Sequence, residues 1–205
     1  MARFLHARRG AWRLALLLSL ASPAWGLSMA HMPPAELARQ AADVVIVRVE
    51  SAELRSLATG TRVEDLELRV LERLKGDADS VERRTQVVGV GTRGAGIPGN
   101  PLLEVGKTYL VFLWAPGEVP VMPLPVGGEQ GVFRAEGQPG AWRFTTLDGI
   151  PVVGLTDQGP VLDVPDEYTE PVLGPGMRLV RRPALPRMSS AAWLQAWRAL
   201  CEVTP

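Results

Sequence analysis

The chain is poor in the residues that covalent stapling and most catalysis require. It carries one cysteine, Cys201, so no internal disulfide can form and the fold must be held by its core. Its two histidines are His6 and His31; His6 falls in the expected leader, and one mature histidine excludes a multi-histidine metal site. Any Ser–His or Cys–His pair would have to be built on His31. The formal net charge is zero. With no basic excess to meet phosphates, nucleic acid is not an expected partner.

The first 26 residues read as a leader. Arg3, Arg8, Arg9 and Arg13 form a basic front, Leu14 to Ala21 an apolar centre, and Ala24-Trp25-Gly26 a small-residue cleavage site. The apolar centre is far shorter than the roughly 20 residues of a spanning helix, so no membrane span is expected after cleavage. Cleavage before Leu27 removes His6 and four of the 22 basic residues but none of the 22 acidic ones, leaving a mature chain near −4. The expected destination is the periplasm or the outside of the cell. An even distribution of both charge signs suits a soluble surface.

From Leu27 on, the pattern is one of short strands. Pro33-Pro34 followed by Ala-Glu-Leu-Ala-Arg-Gln-Ala-Ala predicts a short helix with proline in its first turn. Val44 to Val49 is a β-branched strand. Residues 61–76 fit two readings: Leu66, Val70 and Leu74 lie at helical spacing, whereas Leu66, Leu68 and Val70 alternate with Glu67 and Arg69 as in a half-buried strand. Thr85 to Val90 is a third strand, and 92–101 a glycine- and proline-rich loop. Lys107 to Ala115, apolar on both faces, is a fourth strand buried from two sides. Shorter pieces follow at 119–126, 131–135, 141–146 and 151–155. Pro120, Pro123 and Pro125 demote the first of these to an edge or loop. Regular short strands between turns indicate a sandwich or barrel. Gly159 to Arg187 is proline-rich and reads as an arm. A final helix, Ala191 to Cys201, is capped by Ser189 or Ser190 and presents Trp193, Ala196, Trp197 and Leu200 as its apolar face.

Three constellations invite chemical readings. Gly89-Val-Gly91-Thr-Arg-Gly94 matches the dinucleotide fingerprint, but Ala-Gly-Ile-Pro-Gly-Asn-Pro cannot begin the helix that motif needs, so it reads as a hairpin loop. Asp157, Asp163, Asp166, Glu167 and Glu170 cluster between prolines. Their spacing fits no EF-hand loop, and a solvated loop is expected, with a cation site or paired catalytic carboxylates as alternatives. Cys201 reads as a small buried hydrophobe and His31 as a surface residue. No catalytic, cofactor-binding or metal residue is assigned.

Four segments together carry a resemblance. They are Ala42 to Val49, Val70 to Gly76 (Val-Leu-x-x-Leu-Lys-Gly), Glu104 to Leu113 (Glu-Val-Gly-Lys-x-Tyr-Leu-Val-Phe-Leu) and Gly128 to Ala135 (Gly-Glu-Gln-Gly-Val-Phe-x-Ala). Their order resembles uncharacterised exported bacterial proteins with a netrin-like domain, a class that includes the N-terminal domain of tissue inhibitors of metalloproteinases. The resemblance covers about residues 30–136. It implies a mainly β, OB-like barrel packed against helices, and it decides for a strand at 61–74. The inhibitors place an N-terminal cysteine on the protease zinc; this chain has no cysteine before Cys201, so that activity does not carry over.

The expected organisation is therefore a signal peptide at 1–26, an OB-like domain at 27–158, and a proline-rich arm with a C-terminal amphipathic helix packing on the barrel at 159–205. The expected function is an exported, non-enzymatic module that binds a protein or other envelope partner. The loop 92–101 and the aromatics Trp114 and Phe133 are the places to look, both aromatics being expected in the core. The alternatives are a carboxylate-based hydrolase using the 157–170 loop and a structural envelope component.

Overall fold

A computed structural model describes residues 31–89, 99–115, 125–164, 178–179 and 187–203. The expected leader, and much of the arm and of the 92–101 loop, lie outside the described residues.

The β-branched run opens strand β1 (Asp43–Ser56), which is joined by a tight hairpin to β2 (Arg62–Lys75). In that hairpin Leu57 donates its N–H to the Thr61 carbonyl at 2.8 Å and accepts from Gly60 N–H at 2.9 Å. Gly60 takes the left-handed conformation (φ 80°) that a three-residue hairpin loop requires at its last position. The chain continues through β3 (Val81–Gly89), β4 (Thr108–Leu113), a 3-10 turn (Gly128–Gly131) and β5 (Val132–Glu136). Then come β6 (Arg143–Thr145), β7 (Val152–Thr156), β8 (Gly159–Leu162) and β9 (Arg178–Leu179). Helix α1 (Pro34–Gln40) precedes the strands and α2 (Ser190–Val203) follows them.

Six strands form one sheet in the order β3-β2-β1-β4-β5-β6, and three form a second in the order β7-β8-β9. Strands β1 to β8 all pair antiparallel, and β9 joins β8 in parallel. The fold is mainly β with a C-terminal helix, as expected. Among the described residues β3 and β5 do not pair, so the six-stranded sheet is open. Residues 62–75 are a strand paired along its length with β1 and, over Arg62–Arg69, also with β3. Two backbone ladders outweigh the helix preference of Leu, Glu and Arg, which amounts to only a few tenths of a kcal/mol per residue, up to about 0.7.

Both faces of the central strands are buried. Val44 and Ile46 of β1, Leu110 and Phe112 of β4, and Phe133 of β5 point to one side, where they meet α1 and α2. Val45, Val47 and Val49, with Tyr109, Val111 and Leu113, point to the other and pack with Leu66 and Leu68 of β2 and Leu103. On the helix side Trp193 and Trp197 stand one turn apart, their rings 5.9 Å from each other. Trp197 meets Phe112 edge-on at 4.7 Å, and Trp193 meets Phe133 at 5.2 Å and Phe144 at 4.7 Å. Truncating either indole to alanine would cost about 3–5 kcal/mol. Ser189 caps α2, accepting the Ala192 N–H at 3.2 Å. The buried face of α2 is Trp193, Leu194, Trp197 and Cys201, with Leu200 half-buried against the same core.

A buried polar node joins the start of β1 to the β2–β3 connection. Asp43 accepts the Ala78 N–H at 3.1 Å and a guanidinium N–H of Arg84 at 3.1 Å. Arg84, itself buried, also reaches Glu82 at 3.0 Å. Gly76 lies against this carboxylate; a Cβ there would run into Asp43 Oδ1 and the Ala42 carbonyl. Its neighbour Lys75 donates to the Ala38 carbonyl at 2.8 Å, closing the C-terminal end of α1. The Leu-Lys-Gly signature is thus structural: leucine for the core, lysine for the helix end, glycine for the space Asp43 needs.

The first residues of the expected arm are a strand instead. Gly159–Leu162 is a strand whose Val161 and Leu162 are buried. It pairs with β7 through a two-residue turn at Asp157-Gln158, so Pro160 stands in a short ladder rather than in a linker.

Asp43→Ala leaves a buried guanidinium without its main partner and a buried N–H without an acceptor. The expected loss is about 3 kcal/mol in urea unfolding, the low end for a broken buried pair because Glu82 still contacts Arg84. A loss under 1 kcal/mol would refute the role given to this node.

Candidate functional site

The described segment leading into β4, residues 100–107, is anchored, not free. Glu104 to Lys107 form a turn closed by the Lys107 N–H on the Glu104 carbonyl at 3.2 Å. The Glu104 N–H donates to the hydroxyl of Tyr109 at 3.1 Å, and its carboxylate meets Arg134 at 3.0 Å. Burial raises the Tyr109 phenol above its ordinary pKa. Gln86, fully buried, clamps the strand-entering segment: its Oε1 accepts the Leu103 N–H at 2.9 Å and its amide donates to the Leu103 carbonyl at 3.1 Å. Asn100 donates to the Val87 carbonyl at 2.8 Å. What is described of the 92–101 loop is therefore fastened to β3, and residues 92–98 lie outside the described residues.

The aromatics singled out from the sequence are scaffold. Phe133 is fully buried against Trp193. Trp114 is half-buried and packs on the helix-side core. Its buried indole N–H has no partner among the described residues. His31 is exposed ahead of α1. Gln130, from the Gly-Glu-Gln-Gly signature, is buried and accepts the Met32 N–H at 2.9 Å, fixing the start of the described chain to the 3-10 turn.

In the acidic loop, Asp163 is engaged by Arg187 at 2.7 Å, and Asp157 sits in the β7–β8 turn beside Gln158. Asp166, Glu167 and Glu170 lie outside the described residues. Among the described residues no group of three His, Cys, Asp or Glu side chains is placed to hold a metal ion. None of their helices is long and apolar enough to cross a membrane.

A different surface carries organised charge. On the exposed face of β1–β2–β3, Arg69 meets Glu50 at 3.0 Å and Arg83 meets Glu67 at 3.9 Å. Asp65 is bound by Arg55 through two guanidinium nitrogens and by the Thr85 hydroxyl at 2.5 Å. Arg55 first, then Thr85, hold the Asp65 carboxyl below its usual pKa. Strand pairing sets this ladder directly, because Glu67 lies opposite Arg83 and Asp65 opposite Thr85. These pairs are exposed and screened by solvent, so each contributes little to stability. Their value lies in presenting both signs in a fixed array. The alternation of Glu67 and Arg69 with leucines marked half of this face in the sequence. The β3 half was hidden, since the charged Val-Glu-Arg-Arg start of that strand carries no apolar alternation.

No protein-family profile matches the chain, and no curated protein matches it significantly.

Cys201 is buried beside the aromatic core, and burial pushes its thiol up to about 11, with Lys75 pulling weakly the other way. The thiolate is the reactive form. At pH 8 the folded chain should react with a disulfide reagent far more slowly than the urea-unfolded chain, by about 100-fold or more from the pKa alone. Equal rates would place this thiol at the surface.

Proposed function

We propose that the chain is an exported OB-like binding module that holds a protein partner in the envelope or outside the cell on the ion-paired face of β1–β2–β3. The strand order supports the fold part of this reading. An OB barrel consists of a β1–β2–β3 meander, with β4 beside β1 and β5 beside β4. The order β3-β2-β1-β4-β5 with antiparallel neighbours is the order such a barrel would show if opened between its third and fifth strands. The netrin-like signatures fall where such a domain needs them. The Lys-Gly pair ends β2, the Glu-Val-Gly-Lys turn precedes β4, and Gly-Glu-Gln-Gly leads into β5.

The observation that carries the function is the contrast between two parts of one face of this sheet, the face turned away from Leu66 and Leu68. Toward β4 and β5 it is covered by α1 and α2, with Trp193 and Trp197 packed on Phe112, Phe133 and Phe144. Toward the outer part of β1–β3, past Ile46 and Arg48, the same face is solvated and carries an ordered array of both charge signs. Such an array discriminates among protein surfaces by charge complementarity and steers association, without the one-sided basic field that nucleic acid selects. The acidic 157–170 loop supports the hydrolase reading less well, since Asp163 is already engaged by Arg187.

Affinity capture from the native envelope fraction should recover one stoichiometric protein. Arg69→Glu together with Arg83→Glu should reduce that recovery by about tenfold or more while leaving the thermal midpoint nearly unchanged. Recovery that is absent, or that the double reversal does not alter, would remove this reading. For the export part, N-terminal sequencing of the chain recovered from outside the cytoplasm should begin at Leu27; a full-length chain retained inside the cell would overturn it.

A further inference from the structure

Strand β1 runs well past its second neighbour. Its pairing with β4 covers Asp43 to Arg48. That side ends where Val49 exchanges bonds with the turn, donating to the Lys107 carbonyl at 3.0 Å and accepting from Gly106 N–H at 2.8 Å. From Ser51 to Ser56, β1 pairs only with β2 among the described residues, and all six residues are exposed. A regular strand edge of this length is an open template for another strand.

The phase of that edge follows from the hairpin. Leu57 donates to Thr61, so alternation back along the ladder makes Arg55 with Val63, Glu53 with Asp65, and Ser51 with Glu67 the pairs that exchange bonds with β2. The backbone N–H and C=O groups of Ala52, Leu54 and Ser56 consequently point to the open side. Leu54 sits at the centre of the segment, 50 % exposed despite being a large apolar residue. Glu53 and Arg55 flank it with opposite signs.

We propose that this edge is the two-fold interface of a homodimer, in which Ser51–Ser56 of a second copy pairs antiparallel with the same segment about Leu54. The charge pattern selects both the partner and the register. Centred on Leu54, the outward-pointing groups meet one another, Leu54 lies against its own copy, and Ala52 faces Ser56. Glu53 then stands directly opposite Arg55 twice, once on each side of the axis, in the non-hydrogen-bonded positions where side chains come closest. Sliding by two residues in either direction puts Glu53 opposite Glu53 or Arg55 opposite Arg55. Sliding by one would oppose outward-pointing groups to inward-pointing ones. A strand from an unrelated protein has no reason to carry the reversed charges at both positions, whereas a second copy carries them necessarily. Arg55 is already held by Asp65 through Nε and Nη2, which leaves Nη1 for the partner's Glu53. The interface lies at the rim of the sheet, so the charged face of β1–β3 stays open and is doubled. The inference does not need the binding reading above: it shares Arg55 with that face but requires only the open edge and the Glu53 and Arg55 charges.

Sedimentation velocity over a concentration series tests it on the purified chain. The wild type should show a reversible monomer–dimer equilibrium. Glu53→Arg places like charges opposite each other twice and should weaken the dimer by about tenfold or more. The double variant Glu53→Arg with Arg55→Glu restores opposite charges across the axis and should recover the dimer, an effect that general destabilisation cannot produce. Thermal melts confirm that the exposed substitutions leave the fold intact, and amide exchange should be slowed at Ala52, Leu54 and Ser56 as the dimer forms. A wild type that stays monomeric throughout the series overturns the proposal. So does a dimer indifferent to Glu53→Arg, or one the double variant fails to restore. Capture of a foreign strand at this edge by a monomeric chain would assign the edge to another partner.

Discussion

Strands β1 and β4 are apolar on both faces, and that single property makes the rest of the structure necessary. A two-stranded ribbon with Val44, Ile46, Leu110 and Phe112 on one side and Val45, Val47, Tyr109 and Val111 on the other cannot leave either side in water. On one side the cover is helical: α1 before the strands, and α2 returning from the far end of the chain with Trp193 and Trp197. On the other side the cover is the sheet's own β2 with the anchored 100–104 segment, held there by Gln86. With no disulfide, these two layers hold the fold together. The bonds that fix their edges, Asp43 to Arg84 and Lys75 to the end of α1, join segments distant in sequence.

The motifs behind the netrin-like resemblance prove to be parts of this frame. The Ala-Asp before β1 and the Lys-Gly after β2 meet at one point, where Gly76 leaves room for the carboxylate of Asp43. The Gln of Gly-Glu-Gln-Gly holds the backbone at Met32. Such residues mark turns and junctions and carry no reaction chemistry. Function is therefore sought on surfaces the motifs do not touch, and among the described residues two stand out: the ion-paired face of β1–β3 and the exposed edge of β1.

These two surfaces belong to the same hairpin and answer different physical demands. The face displays charges already satisfied within the sheet, so a partner can meet them at modest desolvation cost. The edge displays backbone groups that a neighbouring strand can satisfy, guarded by charges that repel most registers. One hairpin can thus combine selective docking with selective self-pairing.

Much of the scaffold was legible in the residues alone. Apolar content on both faces of 107–115 located the central strand, β-branching located the start of β1, and the spacing of Trp193 and Trp197 with Ser189 before them located the last helix. Other features were decided only by the tertiary structure. Residues 62–75 carry helix-forming side chains, and it took β1 and β3 on either side to settle them as a strand. The outer half of β1, Glu50 to Ser56, has only Ala52 and Leu54 as apolar residues, both exposed, too short an alternation to mark a strand; its extension exists because the hairpin at Gly60 and the β2 ladder hold it. Gly159–Leu162 looked like a linker because of Pro160, yet antiparallel pairing with β7 buries Val161 and Leu162. Hydrophobic pattern reports which residues must leave water, and it does so locally. Where a polar strand extends, which carboxylate meets which guanidinium, and which edge stays open depend on neighbours brought from elsewhere in the chain, and those are properties of the assembled sheet.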